Sequence, residues 1–390
     1  MTQRPSSSGA AGTVPAPSAG EVPLLDLAAQ YAAIRDAVMP AVLGVIERQQ
    51  FIMGPEVAEL EAAIAKLSHV KHAIACASGT DAILLPLMAL ELKPGDEVIV
   101  PPFTFFATAG TVHNAGGTPV FVDIEPDSFN LSPAAVEAAI TPRTRAIIAV
   151  HLFGQMAKLD QLLEIAAARQ LPLIEDAAQA IGARRKLGGE WRMAGETGWA
   201  GTLSFFPSKN LGAWGDGGMM LTQDDGLGAR LRRLRLHGGS RQYYHEEIGT
   251  NSRLDTLQAA VLFAKLPFLA RWSAARREKA EWYNARFRGH AEVVPPSVDP
   301  ANEHIFHQYT IRVPRREALR EHLKANGIGC AVYYPLPLHL QPCFAQLGYR
   351  KGSLPESEAA AEQVLSLPVY PELTEAQQER VVGTITGFYG

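Results

Sequence analysis

The sequence predicts an α/β protein: a largely parallel sheet with helices on both faces, followed by a smaller α/β domain. Three observations carry this. Short apolar runs at 73–76, 97–100, 119–122, 146–150, 171–175, 203–206 and 218–222 alternate, for the most part, with segments of helical periodicity. Glycine, proline and small polar residues punctuate them. The chain of 390 residues, 47% hydrophobic and 19% charged, has apolar material for a large core and length for two domains, expected at 23–270 and 271–390. In such folds ligands bind at the carboxyl ends of the strands, which is where chemistry is to be sought.

Composition narrows the function classes. A formal charge of −4 with no block of like charge gives no electrostatic ground for nucleic-acid or membrane binding. Cys76, Cys330 and Cys343 form neither a CxxC nor a close pair. This argues against a disulfide framework or structural zinc and suits a reducing, cytoplasmic compartment. No apolar stretch has the length to span a bilayer. Residues 1–22, rich in Ser, Gly, Ala and Pro at the start and without the apolar run of a signal peptide, read as a disordered tail.

Order is expected from Pro23, with Leu24, Leu25, Leu27 and Tyr31 as anchors and a helix over 32–49. Pro55 suits the first position of a second helix, on which Val57, Leu60, Ile64 and Leu67 share a face. After the run at 73–76, an apolar helix opens at Ser78-Gly79-Thr80-Asp81, with Pro86 early in it. Beyond Gln258, a long helical pattern through Leu257, Val261, Phe263, Leu266 and Leu269 leads out of the large domain past Trp272 and Tyr283.

Candidate chemistry sits at the strand ends. The turn at 78–81 leaves free N–H groups and the positive end of a helix dipole for a phosphate, with the Thr80 hydroxyl beside them; the same residues also suit an ordinary helix cap. Aromatic rings at Phe103, Phe105 and Phe106 follow the run at 97–100, to face a planar cofactor or to pack in the core. Asp176 ends an apolar run and precedes small residues, so its carboxylate needs a partner such as a protonated pyridine nitrogen, unless it is a cap. The stretch GTLSFFPSKNLGAWGDGGMM, 201–220, organises the rest. Its strand stops at Pro207 and delivers Lys209 into a glycine-punctuated loop, and lysine forms Schiff bases with carbonyls once its pKa is depressed. Ser204 can offer a hydroxyl to a phosphate on the same ligand. A phosphate cradle, a ring, an aspartate and a lysine are the parts that a pyridoxal phosphate site needs.

With these pieces in this order, the sequence resembles the DegT/DnrJ/EryC1/StrS family of pyridoxal-phosphate-dependent aminotransferases, which act on nucleotide-linked keto sugars. The resemblance runs from Pro23 to the C-terminus. It rests on SGTDA (78–82), PPFTFFAT (101–108), EDAAQA (175–180), SFFPSKNLGAWGDGGM (204–219) and GTNSRLDTLQAA (249–260). It implies the type I, aspartate aminotransferase-like transferase fold. It also implies that Lys209 forms the Schiff base and shuttles the proton, and that Asp176 faces the pyridine nitrogen. By the same resemblance Gln179, where some members have His, contacts the ring's 3-oxygen, Phe105 stacks on the ring, and Gly79, Thr80 and Ser204 hold the phosphate. Asn251 would reach the phosphate bound by a neighbouring subunit, which implies a homodimer with shared active sites. A branch with His in place of the lysine removes a hydroxyl instead; Lys209 favours amino transfer.

The implied reaction moves an amino group from L-glutamate to a nucleotide-linked keto sugar in two halves, with ping-pong kinetics. FIMGPEV (51–57), HLFGQ (151–155) and NSRLDTLQAA (251–260) are similar to members that aminate a 3-keto position, including those acting on UDP-linked 2-acetamido-3-keto hexuronates; a 4-keto sugar is the alternative. Arg253, beside Asn251, is the candidate for the substrate's anionic groups, and His307 and Tyr309, in HQYTIR, for the sugar. YYPLPLHLQP (333–342) is a further family-like segment near the cleft. Arg184, Arg185, Lys186 and Arg241 read as solvated charges. His304, His307 and His339 lack an accompanying carboxylate cluster, so no metal is expected. The products would serve surface polysaccharide or other glycoconjugates. A sensor or scaffold that keeps fold and cofactor without turnover is the reading from another class; Lys209 and Asp176 speak against it.

Overall fold

A computed structural model describes residues 21–390. The tail expected at the N-terminus lies outside the described residues through position 20. Residues before Pro23 are already built into the fold: Val22 donates to the Gly327 carbonyl at 2.9 Å and accepts from the Gly329 N–H at 2.7 Å.

The N-terminal helices are α1 (Leu27–Arg48) and α2 (Pro55–Leu67). The first starts five residues before the expected 32, because Asp26 caps it by accepting from the Ala29 N–H at 2.8 Å. Pro55 holds the first position of α2, as its fixed φ suits.

The chain then alternates as β1 (His72–Cys76), α3 (Gly79–Ala89), β2 (Glu97–Val100), α4 (Ala107–Asn114), β3 (Thr118–Phe121), α5 (Pro133–Ala139), β4 (Thr144–Val150), α6 (Leu159–Ala168) and β5 (Leu173–Asp176). The hairpin of β6 (Arg184–Leu187) and β7 (Glu190–Met193) follows, then β8 (Ala200–Ser204), β9 (Gly218–Thr222) and α7 (Asp225–Leu234). The apolar runs form one seven-stranded sheet in the order β1-β9-β8-β5-β4-β2-β3. Its ladders from β3 through β8 are parallel, and β9 runs antiparallel to both of its neighbours.

Strand alternation sorts side chains to two cores. Ile147 and Ile99 join one hydrophobic cluster with Ile64 and Leu203; their neighbours Ile148 and Val98 join the other with Ile74 and Met220. Because both faces are covered, strands such as EVIV are buried at every position.

The long helical pattern after Gln258 is two helices, α8 (Thr256–Lys265) and α9 (Leu269–Phe287), separated by a short 3₁₀ turn at Leu266–Phe268 that contains Pro267. Beyond them come β10 (Asn302–Glu303), which pairs with β6, then β11 (Tyr309–Arg312), α10 (Arg316–Ala325), α11 (Pro355–Gln363), β12 (Val364–Leu367) and α12 (Glu375–Tyr389). Of these, β11, α10, β12 and α12 gather with α9 round a third cluster that includes Tyr283, Tyr309, Ile311, Leu365 and Ile385, with Val22 built into it. Among the described residues no helix is long and apolar enough to cross a membrane.

Candidate active site

The carboxyl ends of β1, β2, β4, β5 and β8 open on a cavity of about 400 Å³, lined among others by Gly79, Thr80, Phe105, Asp176, Gln179, Ser204, Lys209 and His307.

Lys209 sits in a tight turn just past β8. Its N–H donates to the Phe206 carbonyl at 2.8 Å, and Ala213 donates to the Phe205 carbonyl at 2.8 Å. Gly212 presses so closely on this turn that a Cβ there would meet the Pro207 carbonyl oxygen at 2.2 Å. From behind, the buried Lys265 donates to the Gly212 carbonyl at 2.5 Å. Burial draws the Lys209 amine down to about 8, against the opposing pull of Asp176.

Asp176, the last residue of β5, is buried. Burial pushes its carboxyl up. The Thr108 hydroxyl, which donates to Oδ2 at 2.8 Å, the Ala178 N–H, which donates to Oδ1 at 3.2 Å, and the charge of Lys209 oppose that shift. Glu175 lies on the other side of the strand. Its Oε2 accepts from His151 and the Gly195 N–H, each at 2.8 Å, and its Oε1 from the N–H groups of Thr197 at 2.9 Å and Gly198 at 2.6 Å. Burial alone would raise this carboxyl, yet these donors hold it below the ordinary carboxylate range.

Also on the cavity wall, Ser78 caps α3 by accepting from the Asp81 N–H at 3.1 Å. Gly79 and Thr80 are in the first turn, so their N–H groups have no carbonyl within the helix to bond. Ser204 faces them. Gln179 is held by the Phe153 N–H on Oε1 at 2.7 Å and donates from Nε2 to the Tyr334 hydroxyl at 3.1 Å. Phe105 lies on the cavity wall with 60% of its surface exposed.

Three expected residues lie off this cavity. Tyr309 is in the C-terminal core, its ring centroid 4.9 Å from that of Tyr283 and its hydroxyl donating to Asn284 at 2.8 Å. Strand alternation begins at Tyr309 and puts it with Ile311 in that core, whereas His307 and Gln308 precede the strand and line the cavity. Asn251 is exposed and Arg253 half-buried, and neither lines the cavity of its own chain. His307 is buried with Nδ1 3.1 Å from the Asn210 amide oxygen; burial and the nearby Lys209 and Arg276 charges hold it well below its ordinary pKa, so the ring is neutral.

Sequence reasoning missed Thr104, Thr108 and Gln308 on the cavity wall and placed Tyr333 and Tyr334 only as part of a segment near the cleft. The two threonines of PPFTFFAT, set among the aromatic residues, were the available signal. Arg185 is a further correction: it is buried and donates to Asp160 at 2.7 Å from Nη2 and to Asp299 at 2.7 Å from Nη1.

Comparison with known proteins places the chain. The DegT/DnrJ/EryC1/StrS aminotransferase family matches residues 32–386. The chain belongs to this family. As a DegT/DnrJ/EryC1/StrS aminotransferase it is 52% identical to a pleiotropic regulatory protein of Geobacillus stearothermophilus, over 94% of this chain and 98% of that one. It is 46% identical to the UDP-N-acetyl-3-dehydro-alpha-D-glucosamine 3-aminotransferase of Acidithiobacillus ferrooxidans (93% and 97%). It is 43% identical to the UDP-2-acetamido-2-deoxy-3-oxo-D-glucuronate aminotransferase of Pseudomonas aeruginosa (94% and 99%). Among solved structures, S. venezuelae DesV in complex with a ketimine intermediate superposes with a TM-score of 0.92 at 42% identity, covering 95% of this chain and 99% of that one. Bacillus subtilis ntda, 31% identical, was solved with bound cofactor PMP (TM-score 0.86; 95% and 85%). The α/β fold and the aminotransferase class expected from the sequence are thus those of its relatives.

Pyridoxal phosphate, the cofactor of the family, fits the residues present. The cradle exists because position 79 is glycine: a Cβ there would come within 2.6 Å of the Ser204 Cβ and fill the space between them. The same cavity holds a buried carboxylate, Asp176, and an amine of lowered pKa, Lys209.

Proposed function

We propose that this aminotransferase moves the amino group of L-glutamate to the 3-keto carbon of a nucleotide-linked sugar, with Lys209 as the catalytic residue. The observation that carries it is the convergence of Lys209, its pKa drawn to about 8, with Asp176 and the Gly79–Ser204 cradle on one cavity. The names of the Acidithiobacillus and Pseudomonas relatives support a UDP-linked 2-acetamido-3-keto sugar, either the hexuronate expected from the sequence or a hexosamine. The product would enter surface polysaccharide or glycoconjugate synthesis.

Bound here, pyridoxal phosphate supplies an aldehyde to receive the amine and a ring to take up the electron pair of a broken C–H bond. The residues do the rest. Lys209 Nζ, part free base near neutral pH, takes the α-proton of L-glutamate, and in the second half it delivers a proton to the sugar carbon that gains nitrogen. Asp176 keeps negative charge where the ring nitrogen would lie. The N–H groups of Gly79 and Thr80, with the Ser204 hydroxyl, hold the phosphate at the helix N-terminus. Phe105 covers a ring face, and Gln179, oriented by Phe153 and Tyr334, bears on the 3-oxygen. Because 2-oxoglutarate leaves before the sugar binds, the kinetics are ping-pong. Residues 23–270 supply this machinery, and 271–390 bring His307, Gln308, Tyr333 and Tyr334 over the cleft.

The active unit is a homodimer with shared sites. Among the described residues Lys209 is the one lysine or arginine on the cavity wall, beside the acids Asp176 and Asp216, so a nucleoside diphosphate needs positive partners from outside this lining. The segment ending at Asn251 and Arg253 exposes 84% of Tyr243 and 90% of Ile248, a surface suited to burial against a second copy. Asn251 and Arg253 would then enter the partner's cavity.

The test is spectral. Apo-protein loaded with pyridoxal phosphate, beside a Lys209→Ala control, is titrated with L-glutamate and then with 3-keto and 4-keto nucleotide sugars. Loss of the visible band with glutamate and its return with 3-keto sugars alone is the expected result. Return with 4-keto sugars alone overturns the 3-keto assignment. The regulatory name of the 52% identical relative favours a second reading, a cofactor-holding sensor, which would bind the cofactor and turn over no sugar.

A further inference from the structure

Asp176 is not held by the cavity alone. Its Oδ2 accepts the Thr108 hydroxyl at 2.8 Å, and the Thr108 oxygen lies 3.1 Å from that of Thr104. Both threonines are buried, at 1% and 2% exposure, and both line the cavity. A charged carboxylate has no proton to give, so the single proton of Thr108 goes to Asp176. The Thr108 oxygen is then left to accept, and the Thr104 hydroxyl donates to it. The direction of the chain is thereby set: Thr104 to Thr108 to Asp176.

Local structure explains why these residues meet. Thr104 lies in the bend before α4 and Thr108 is its second residue, with the Thr108 N–H closing a turn on the Phe105 carbonyl at 3.2 Å. One turn of chain therefore carries both the ring-facing aromatic and the hydroxyl pair. Among the described residues, the one other donor to the carboxylate is the Ala178 N–H at 3.2 Å, a long bond. The other charges that bear on Asp176 are Lys209 and the His151 side chain, itself bonded to Glu175.

We infer that Thr108 is a positioning residue for Asp176, and that Thr104 and Thr108 form a two-hydroxyl relay that keeps this carboxylate charged and aimed at the cofactor's ring nitrogen. The inference rests on the cofactor reading above. Without the relay, a carboxylate already disfavoured by burial loses its side-chain donor, and the neutral acid cannot hold a protonated ring nitrogen.

The experiment uses full-length protein carrying Thr108→Val, Thr108→Ser or Thr104→Val, each checked for fold by circular dichroism. Pyridoxal phosphate affinity is read by titration of apo-protein, and the visible band of the lysine-bound cofactor is followed against pH. Thr108→Val is expected to weaken the cofactor about 10-fold, the scale of a hydrogen bond to a charged group. It should also raise the pH midpoint of the band, because a less positive ring nitrogen favours protonation nearby. Thr108→Ser should restore both, and Thr104→Val should move both in the same direction by less. Wild-type affinity and midpoint in folded Thr108→Val overturn the inference, as does a Thr108→Ser protein as impaired as the valine variant. Should Thr108→Val not fold, an unmoved midpoint in Thr104→Val overturns the relay. A wild-type protein that forms no visible band sinks the cofactor reading together with this one, whereas a normal wild-type band indifferent to the threonines sinks this one alone.

Discussion

Gly79 and Ser204, on separate elements 125 positions apart in sequence (204 − 79), approach so closely that a single methyl on the glycine would lie 2.6 Å from the Ser204 Cβ and 2.8 Å from its Oγ. The strand end and the helix N-terminus are thus fitted to each other at the place where phosphate is to bind. Gly79→Ala should cost about 1–3 kcal/mol as overpacking and weaken the cofactor as well. Adding Ser204→Gly relieves the contact but removes the hydroxyl. Thermal melts of apo-protein should therefore recover in the double variant while cofactor affinity does not, and joint recovery would show that the hydroxyl is idle.

The lowered amine of Lys209 makes cofactor capture depend on pH. Only the free base attacks an aldehyde. With the amine at about 8 rather than the ordinary 10.5, the rate at which apo-protein develops a visible band should climb with pH and reach half its maximum near 8. A rate still climbing steeply above pH 10 would mean an ordinary, hydrated lysine.

Glu175 is a structural charge, and Glu175→Gln sets an NH₂ against N–H donors that now point at an oxygen. Breaking such a buried arrangement should cost about 3 kcal/mol at neutral pH. The sign with pH follows from the lowered carboxyl: its stabilisation is complete above the unfolded value of 4.5 and is lost as pH falls through the native value. Denaturant melts of the two proteins should differ most at neutral pH and converge in acid. A constant difference throughout would assign the loss to packing.

Shared sites can be tested by mixing two defective chains. Lys209→Ala and Asn251→Ala proteins, each deficient alone, should regain about one quarter of wild-type activity when unfolded together and refolded, since half of the random dimers then carry one intact site of two. No gain over the separate proteins would leave each site self-contained.

Much of the fold was legible because its signal is local. Each strand of the main sheet is an apolar run between turn residues, and burial on both faces makes such runs continuous. The hairpin of β6 and β7 escaped notice because RRKL and EWRM are charged and lie outside that sheet, Trp191 having Arg184 and Lys186 over its ring. The Gly188-Gly189 turn between them, with φ of 57° and 90°, was the one local clue. At the site, Lys209, Asp176 and the Gly79–Ser204 pair could be read together because each lies at or just past the end of an apolar run. Thr108 acquires meaning only beside Asp176, 68 residues away, and the inward course of Tyr309 depends on where β11 begins. Pairings across the chain leave no trace in local pattern.

Val22, which pairs with Ile328, ties the order of synthesis to the order of folding. All strands of the seven-stranded sheet are synthesised by Thr222, although the core on one of its faces also takes Leu254, Leu262, Leu269 and Ile305. The segment at Val22 must wait on the order of 300 residues for its partner, a long-range closure of the kind that slows folding. A nascent chain halted before α10 would therefore hold every strand of the main sheet and a Val22 edge still without its Ile328 partner.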